Sequence, residues 1–196
     1  GAVILEPVQG EAGVYVAESD YLRAAREICD DRNALLIFDE VQTGFGRTGE
    51  WFGKDHFSVK PDIMTLAKAM AGGLPIGVML AAGDAAEALT KGDHGSTFAG
   101  GPLICAAALA VIDVIKEEKL VARSRENGAY LKSELAKLGP QQVRGLSLMV
   151  GIDLDADCKS LVEKALAQGV LINSTGEHTL RLIPPLVVDK KEIDQV

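Results

Sequence analysis

Cysteine is scarce in this chain of 196 residues, and its three copies are scattered: Cys29, Cys105 and Cys158 form no C-x-x-C pair. That spacing excludes a disulfide framework and a cysteine zinc site, and it fits a reducing, cytoplasmic setting. His56, His94 and His178 have no metal-ligand spacing and read as loop or surface residues. Basic runs are missing too. A formal net charge of -8 and a pI near 4.9 leave no electrostatic footprint for nucleic acid or an anionic membrane. No stretch approaches the roughly 18 consecutive apolar residues of a membrane span, and there is no charged-then-apolar leader. Repeats, low-complexity tracts, a G-x-S-x-G elbow and a Cys/His pair suited to nucleophilic hydrolysis are likewise lacking. The partners that remain are small molecules.

What is present is core material: 47% of residues are hydrophobic and 24% charged. Four short apolar runs, Ala2 to Leu5, Leu35 to Phe38, Ile63 to Ala67 and Gly77 to Ala82, lack strict alternation and predict strands covered on both faces. Asp20 to Arg32 carries Tyr21, Leu22, Ala25 and Ile28 on one helical face. This β-α-β order implies an α/β fold with a mostly parallel sheet. Pro102 to Leu138 reads as helix, opened by Pro102 and closed by Gly139-Pro140. After it, Leu146 to Leu154, Val170 to Asn173 and Thr179 to Val188 read as strands around a helix from Cys158 to Gln168. We therefore expect residues 1–115 to belong to one large domain and residues 116–196 to form a smaller α+β domain. The chain opens inside a strand without Met, and Lys190 to Val196 reads as a helix just starting, so a piece of a longer protein is expected.

Ligands of parallel α/β sheets sit beyond the carboxyl ends of the strands, and Glu6, Asp39 and Lys68 each follow an apolar run at that end. Asp39 needs a cationic partner; a helix cap or a salt bridge is the plain alternative for a lone aspartate there. Lys68 could be an ordinary surface lysine, but Ala67, Ala69, Met70 and Ala71 give it an apolar setting that favours a neutral amine, and Gly72-Gly73 permits close backbone approach. An amine and a carboxylate so delivered can hold pyridoxal phosphate through a Schiff base and keep its ring nitrogen protonated.

Other motifs carry less. Gly44-Phe45-Gly46-Arg47-Thr48-Gly49 matches G-x-G-x-x-G, but Asp39 to Thr43 separate it from the strand and no helical periodicity follows, so a glycine-rich active-site loop or tight turn is the better reading. Gly95 to Pro102 offers Ser96, Thr97 and free N–H groups ahead of a helix, a chemistry suited to phosphate or to a helix cap. Arg181 interrupts the apolar run Leu180 to Pro185; turned inward it needs a carboxylate, and an exposed edge position fits the spacing equally well.

Taken together, Leu36-Ile37-Phe38-Asp39-Glu40-Val41-Gln42-Thr43-Gly44-Phe45-Gly46-Arg47-Thr48-Gly49, Pro61-Asp62-Ile63 and Ala67-Lys68-Ala69-Met70-Ala71-Gly72-Gly73-Leu74-Pro75-Ile76-Gly77 resemble the class III (ornithine-type) pyridoxal-phosphate aminotransferases. The resemblance runs from Glu6-Pro7-Val8-Gln9-Gly10-Glu11 to Arg181-Leu182-Ile183-Pro184-Pro185-Leu186, and His94 to Gly100, Val143 to Leu146 and Val170 to Asn173 are similar to the branch acting on N-acetylornithine. It implies the type I fold of pyridoxal-phosphate transferases, with a mostly parallel sheet sandwiched by helices, and a homodimer that moves the δ-amino group of N-acetylornithine to 2-oxoglutarate in arginine biosynthesis.

The same resemblance implies roles. Lys68 would form the Schiff base and then shuttle the substrate proton; Asp39 would pair with the pyridine nitrogen. Glu40 falls within the cofactor-binding segment, Val41 would pack on the ring and Gln42 would contact its phenolic oxygen. Thr97 would reach across the dimer to the partner's cofactor phosphate, and Ser96 would touch substrate. Arg181 would grip the α-carboxylate of glutamate or 2-oxoglutarate, with Glu6 pairing to it when the donor is bound. Where the family commonly has Asn the chain has Gly101, and where it has Gly the chain has Ala71 and Ala99. The family's amino-terminal half, with a phosphate loop, a ring-stacking aromatic and a carboxylate-binding arginine, has no counterpart in these residues. Ornithine, succinylornithine, 4-aminobutyrate or carrier-linked lysine-pathway donors, an aminomutase relative, and a non-catalytic fragment or nucleotide-binding module remain alternatives.

Overall fold

The computed structural model describes residues 1–196. Strands β1 (Ala2–Leu5), β2 (Val8–Gln9) and β3 (Tyr15–Val16) lead to helix α1 (Ser19–Asp31), strands β4 (Leu35–Asp39), β5 (Ile63–Leu66) and β6 (Val78–Ala81), and the single-turn helix α2 (Asp84–Glu87). Helices α3 (Pro102–Glu117) and α4 (Leu120–Lys137) follow, then strands β7 (Gln142–Leu146) and β8 (Met149–Asp153), helix α5 (Cys158–Ala167), strands β9 (Asn173–Ser174) and β10 (Thr179–Leu182), and α6 (Lys190–Ile193). No helix is long and apolar enough to cross a membrane. Where the sequence suggests one boundary after residue 115, contacts divide the chain into interleaved segments. Gly1–Pro7, Ala17–Phe45 and Phe52–Lys119 make one unit, and Val8–Val16, Gly46–Trp51 and Leu120–Val196 the other.

The first unit is built on a four-stranded sheet in the order β1-β4-β5-β6. β1, β4 and β5 are parallel, with Ile4 opposite Ile37 and Ile37 opposite Ile63. Helix α1 makes the crossover between β1 and β4 and buries Leu22 and Cys29 against Leu36, Phe38, Val59 and Met64. Complete burial of side chains such as Leu36 and Phe38 contributes about 2 kcal/mol each. The sheet is thus mostly parallel, as expected, with β6 alone running antiparallel, beside β5. The connection 67–77 contains only the 3₁₀ turn Lys68–Ala71 and two glycines in left-handed conformation, Gly72 and Gly73. A parallel return needs a crossover of about a dozen residues or more, usually a helix. β1 also differs from a doubly covered strand: it lies at the sheet edge, and Ile4 is 60% exposed. The long helix breaks in two because Lys119 adopts φ 53, a left-handed kink that no glycine or proline announces.

The second unit is an antiparallel sheet in the order β7-β8-β10-β9. Its core joins Leu131 of α4 to Leu148, Val150, Ile152, Leu180 and Leu182, with Cys158, Val188 and Ile193. The sequence run Leu146 to Leu154 proves to be the second arm of a hairpin. Its first arm, β7, was masked by Gln142, Arg144 and Gly145, and Val170 to Ile172 is not strand. The predicted strand to Val188 stops at Leu182, where Pro184 and Pro185 can donate no ladder bonds. The β2–β3 hairpin is tied to β7 by Arg144, whose Nε donates to the Gly13 carbonyl at 2.8 Å while its guanidinium lies 4.2 Å from the Tyr15 ring centroid.

Candidate active site

Because β1, β4 and β5 are adjacent and parallel, their carboxyl ends lie along one edge of the sheet and bring Glu6, Asp39 and Lys68 to it. Asp39 closes β4 opposite Thr65. Its Oδ1 accepts from the Val41 N–H at 3.0 Å and from the Thr65 hydroxyl at 3.2 Å. These bonds fix the half-buried carboxylate, while Oδ2 accepts no donor from the chain. One oxygen is thus spent on orientation, and the other can accept a hydrogen bond from a ligand cation.

Lys68 opens the 3₁₀ turn after β5 with φ 48, a left-handed backbone that costs a non-glycine residue about 1 kcal/mol or more. The apolar setting expected for it is not what these residues provide. Lys68 and Ala69 are exposed, and only Ala71 of the turn is buried, because the turn rolls the lysine outward while Ala71 packs inside. The Lys68 amine forms neither a hydrogen bond nor an ion pair.

Glu40 has a different place from its neighbours. Its carboxylate is 1% exposed and turned into the protein. It accepts from the Gly53 N–H at 2.7 Å, the Lys54 N–H at 2.6 Å and the Thr43 hydroxyl. Burial raises its pKa, and these donors oppose the rise. The cofactor contact expected for this side chain is therefore corrected: it closes the loop that starts at the Asp39 strand end. A Cβ on Gly53 would come within 2.9 Å of the Thr43 Cβ and 3.0 Å of the carboxylate, so glycine is needed there. Val41 and Gln42 are half-buried on the turn that this carboxylate anchors.

Ser96 and Thr97 are exposed ahead of α3. The cap position of that helix is Gly101, and no side chain caps it, which removes helix capping as their purpose. Phe98, Ala99 and Gly100 meet Pro75, Ile76 and Gly77, which follow the lysine turn, around a cavity of about 460 Å³. The Gly44 to Gly49 motif opens no helix; Gly46 and Gly49 adopt φ 87 and 83 in a run of turns.

In the second unit, Arg181 faces inward and is 7% exposed. Its Nη1 lies 2.7 Å from Oε1 of Glu11. The Asn173 side-chain amide, oriented from its hydrogen bonds, donates to the Arg181 carbonyl at 3.1 Å and accepts from the guanidinium at 3.0 Å. The carboxylate seated on Arg181 is that of Glu11, which the sequence reading passed over in favour of Glu6. The signal was the buried arginine's need for a carboxylate, and only the hairpin's path says which one meets it.

A lysine and an aspartate at neighbouring parallel strand ends are a pair suited to a carbonyl cofactor that carries a basic ring nitrogen. The class-III aminotransferase family model matches residues 1–196, and the chain belongs to that family, whose members use pyridoxal phosphate. It is 52% identical over 198 residues to acetylornithine aminotransferase from Methanosarcina mazei, covering 100% of this chain and 50% of that protein. Among solved structures, ornithine aminotransferase from Toxoplasma gondii, with pyridoxal phosphate at partial occupancy, superposes with TM-score 0.91 at 38% identity over 98% of this chain and 48% of its own. Acetylornithine aminotransferase from Elizabethkingia anophelis gives TM-score 0.90 at 38% identity, covering 99% and 51%. The chain spans about half the length of the curated relatives it matches.

Proposed function

We propose that this chain is the lysine-bearing portion of an enzyme that transfers the δ-amino group of N-acetylornithine to 2-oxoglutarate, giving N-acetylglutamate 5-semialdehyde and glutamate. The observation that carries the reading is the pairing of Asp39, with Oδ2 left open, and the unpartnered Lys68 amine at adjacent parallel strand ends. Both fit pyridoxal phosphate, which when bound supplies an electron sink for the substrate carbon. Asp39 would hold the ring nitrogen protonated. Lys68 would bind the cofactor aldehyde and, once released by substrate, move the proton at the reacting carbon. Val41 and Gln42 would meet the ring and its phenolic oxygen. Thr97 would serve the phosphate and Ser96 the substrate, both across a homodimer in the cytoplasm, and the unit of Gly1–Pro7, Ala17–Phe45 and Phe52–Lys119 would make the carboxyl part of the cofactor domain.

Arg181 and Glu11 supply a physical route to two substrates. A buried guanidinium left without a carboxylate costs several kcal/mol. Glu11 would mask Arg181 while the donor presents its δ-carbon, and the α-carboxylate of 2-oxoglutarate or glutamate would replace Glu11 in the other half of the cycle. The near-50% identity to proteins named acetylornithine aminotransferase supports this donor over the others. The test is an absorbance spectrum of the full-length protein with pyridoxal phosphate, before and after borohydride, alongside Lys68→Ala, followed by assay of N-acetylornithine against ornithine and 4-aminobutyrate. A band near about 410–430 nm that borohydride abolishes and the variant lacks is expected. Its absence from folded, cofactor-saturated protein would overturn the proposal.

A further inference from the structure

Strand β10 carries Arg181 only one residue from its end, and the ladder that holds it runs out of donors there. The β8–β10 register pairs Arg181 with Gly151 and Leu182 with Val150. Continued, it sets Pro184 opposite Leu148, and Pro184 has no N–H to give. Both carbonyls at that rung are nevertheless satisfied. Nη1 of Arg47 donates to the Leu148 carbonyl at 3.1 Å and to the Pro184 carbonyl at 2.5 Å. One guanidinium nitrogen with two hydrogens thus bridges two strands at the point where the backbone cannot.

No carboxylate pairs with Arg47; its charge rests on backbone carbonyls, and its own carbonyl accepts from the Ser124 hydroxyl at 3.5 Å. Burial lowers its pKa to about 10, which still leaves it cationic at neutral pH. A half-buried cation with no carboxylate partner is a costly way to stabilise a fold, and a shorter apolar residue would avoid that cost. Its reach to the end of the Arg181 strand is what such a residue would lose.

We infer that Arg47 is a positioning residue that extends the β8–β10 ladder past Pro184 and thereby fixes Arg181 for its carboxylate ligand. This rests on the proposed function for the identity of that ligand. The donor reacts through its δ-amino group and presents no carboxylate to Arg181 at that step, so loosening β10 must weaken the keto acid selectively.

The test uses full-length wild type, Arg47→Gln and Arg47→Lys. Arg47→Gln is expected to raise the KM for 2-oxoglutarate about tenfold, with the N-acetylornithine KM unchanged and kcat within about twofold. Arg47→Lys, whose ammonium can still reach one carbonyl, should recover part of that loss. Deuterium exchange of the amides of residues 180–183 should quicken about tenfold in Arg47→Gln while α5 is unaffected. An unchanged 2-oxoglutarate KM, equal rises for donor and acceptor, or unaltered exchange in β10 would overturn the inference. Should Arg47→Gln not fold, Arg47→Lys decides it by the same KM split. A wild type that lacks the transamination defeats the proposed function instead, and the exchange measurement still decides the clamp.

Discussion

Replacing Glu11 by glutamine removes the charge that masks Arg181 and keeps the shape of the side chain. The pair is asymmetric: the arginine side chain is 8% exposed and the glutamate 70%. A fully buried partner removed would cost about 3–5 kcal/mol, but an exposed carboxylate is screened by water, and about 1–1.5 kcal/mol is the appropriate scale. Under the proposed function that energy would oppose the keto acid in the wild type, because its α-carboxylate would have to displace Glu11. In Glu11→Gln the opposition disappears, so the KM for 2-oxoglutarate should fall about five- to tenfold. The donor half of the cycle should suffer in the opposite sense, since Arg181 would face the donor without a counter-charge. Stopped-flow absorbance of the two half-reactions of the full-length enzyme separates these effects. An acceptor KM that stays the same or rises would refute the masking role, whatever happens to overall turnover.

Two further outcomes concern the second unit. Gly128→Ala on α4 should lower stability by about 2–3 kcal/mol despite the gain of about 1 kcal/mol that alanine brings to a helix. A Cβ there would lie 2.2 Å from the Ser147 carbonyl carbon, a backbone atom of the β7–β8 turn that no rotamer change can move. A urea melt showing a neutral or stabilised variant would contradict that packing. Asp153 is held below the usual carboxylate range, chiefly by the hydrogen bond from Arg144, with help from Thr179 against the opposing effect of burial. Its stabilisation is therefore complete above the unfolded pKa of about 3.9 and lost as pH falls through the lower folded value. Wild type should lose stability over that acid range, and Asp153→Asn should be weaker at neutral pH with a flatter acid profile; parallel profiles would exclude the effect.

Where the candidate residues stand was written partly in local sequence. Asp39 and Lys68 were legible because short Val/Ile/Leu runs mark buried strands, and the residue after such a run stands at the ligand-binding edge of a parallel sheet. The existence of α1 and the start of α6 were legible from patterns of the same short range, but the buried face of α1 is formed by Leu22 and Cys29, while Tyr21 and Ile28, expected on it, are exposed. Other features depended on where the chain goes. Glu40 reads as one more acid of a motif until folding brings the Gly53 and Lys54 N–H groups to it. The direction of β6 followed from the length of a connection, and the break at Lys119 from a dihedral angle that its neighbours do not encode. The Glu11–Arg181 pair spans 170 positions and the Arg47–Pro184 bond 137. Periodicity reports which face of an element meets the core, within one or two turns of chain. Which carboxylate meets a buried arginine, and which side chain completes a ladder that proline interrupts, is set by the register of distant strands, and tertiary structure alone decided it.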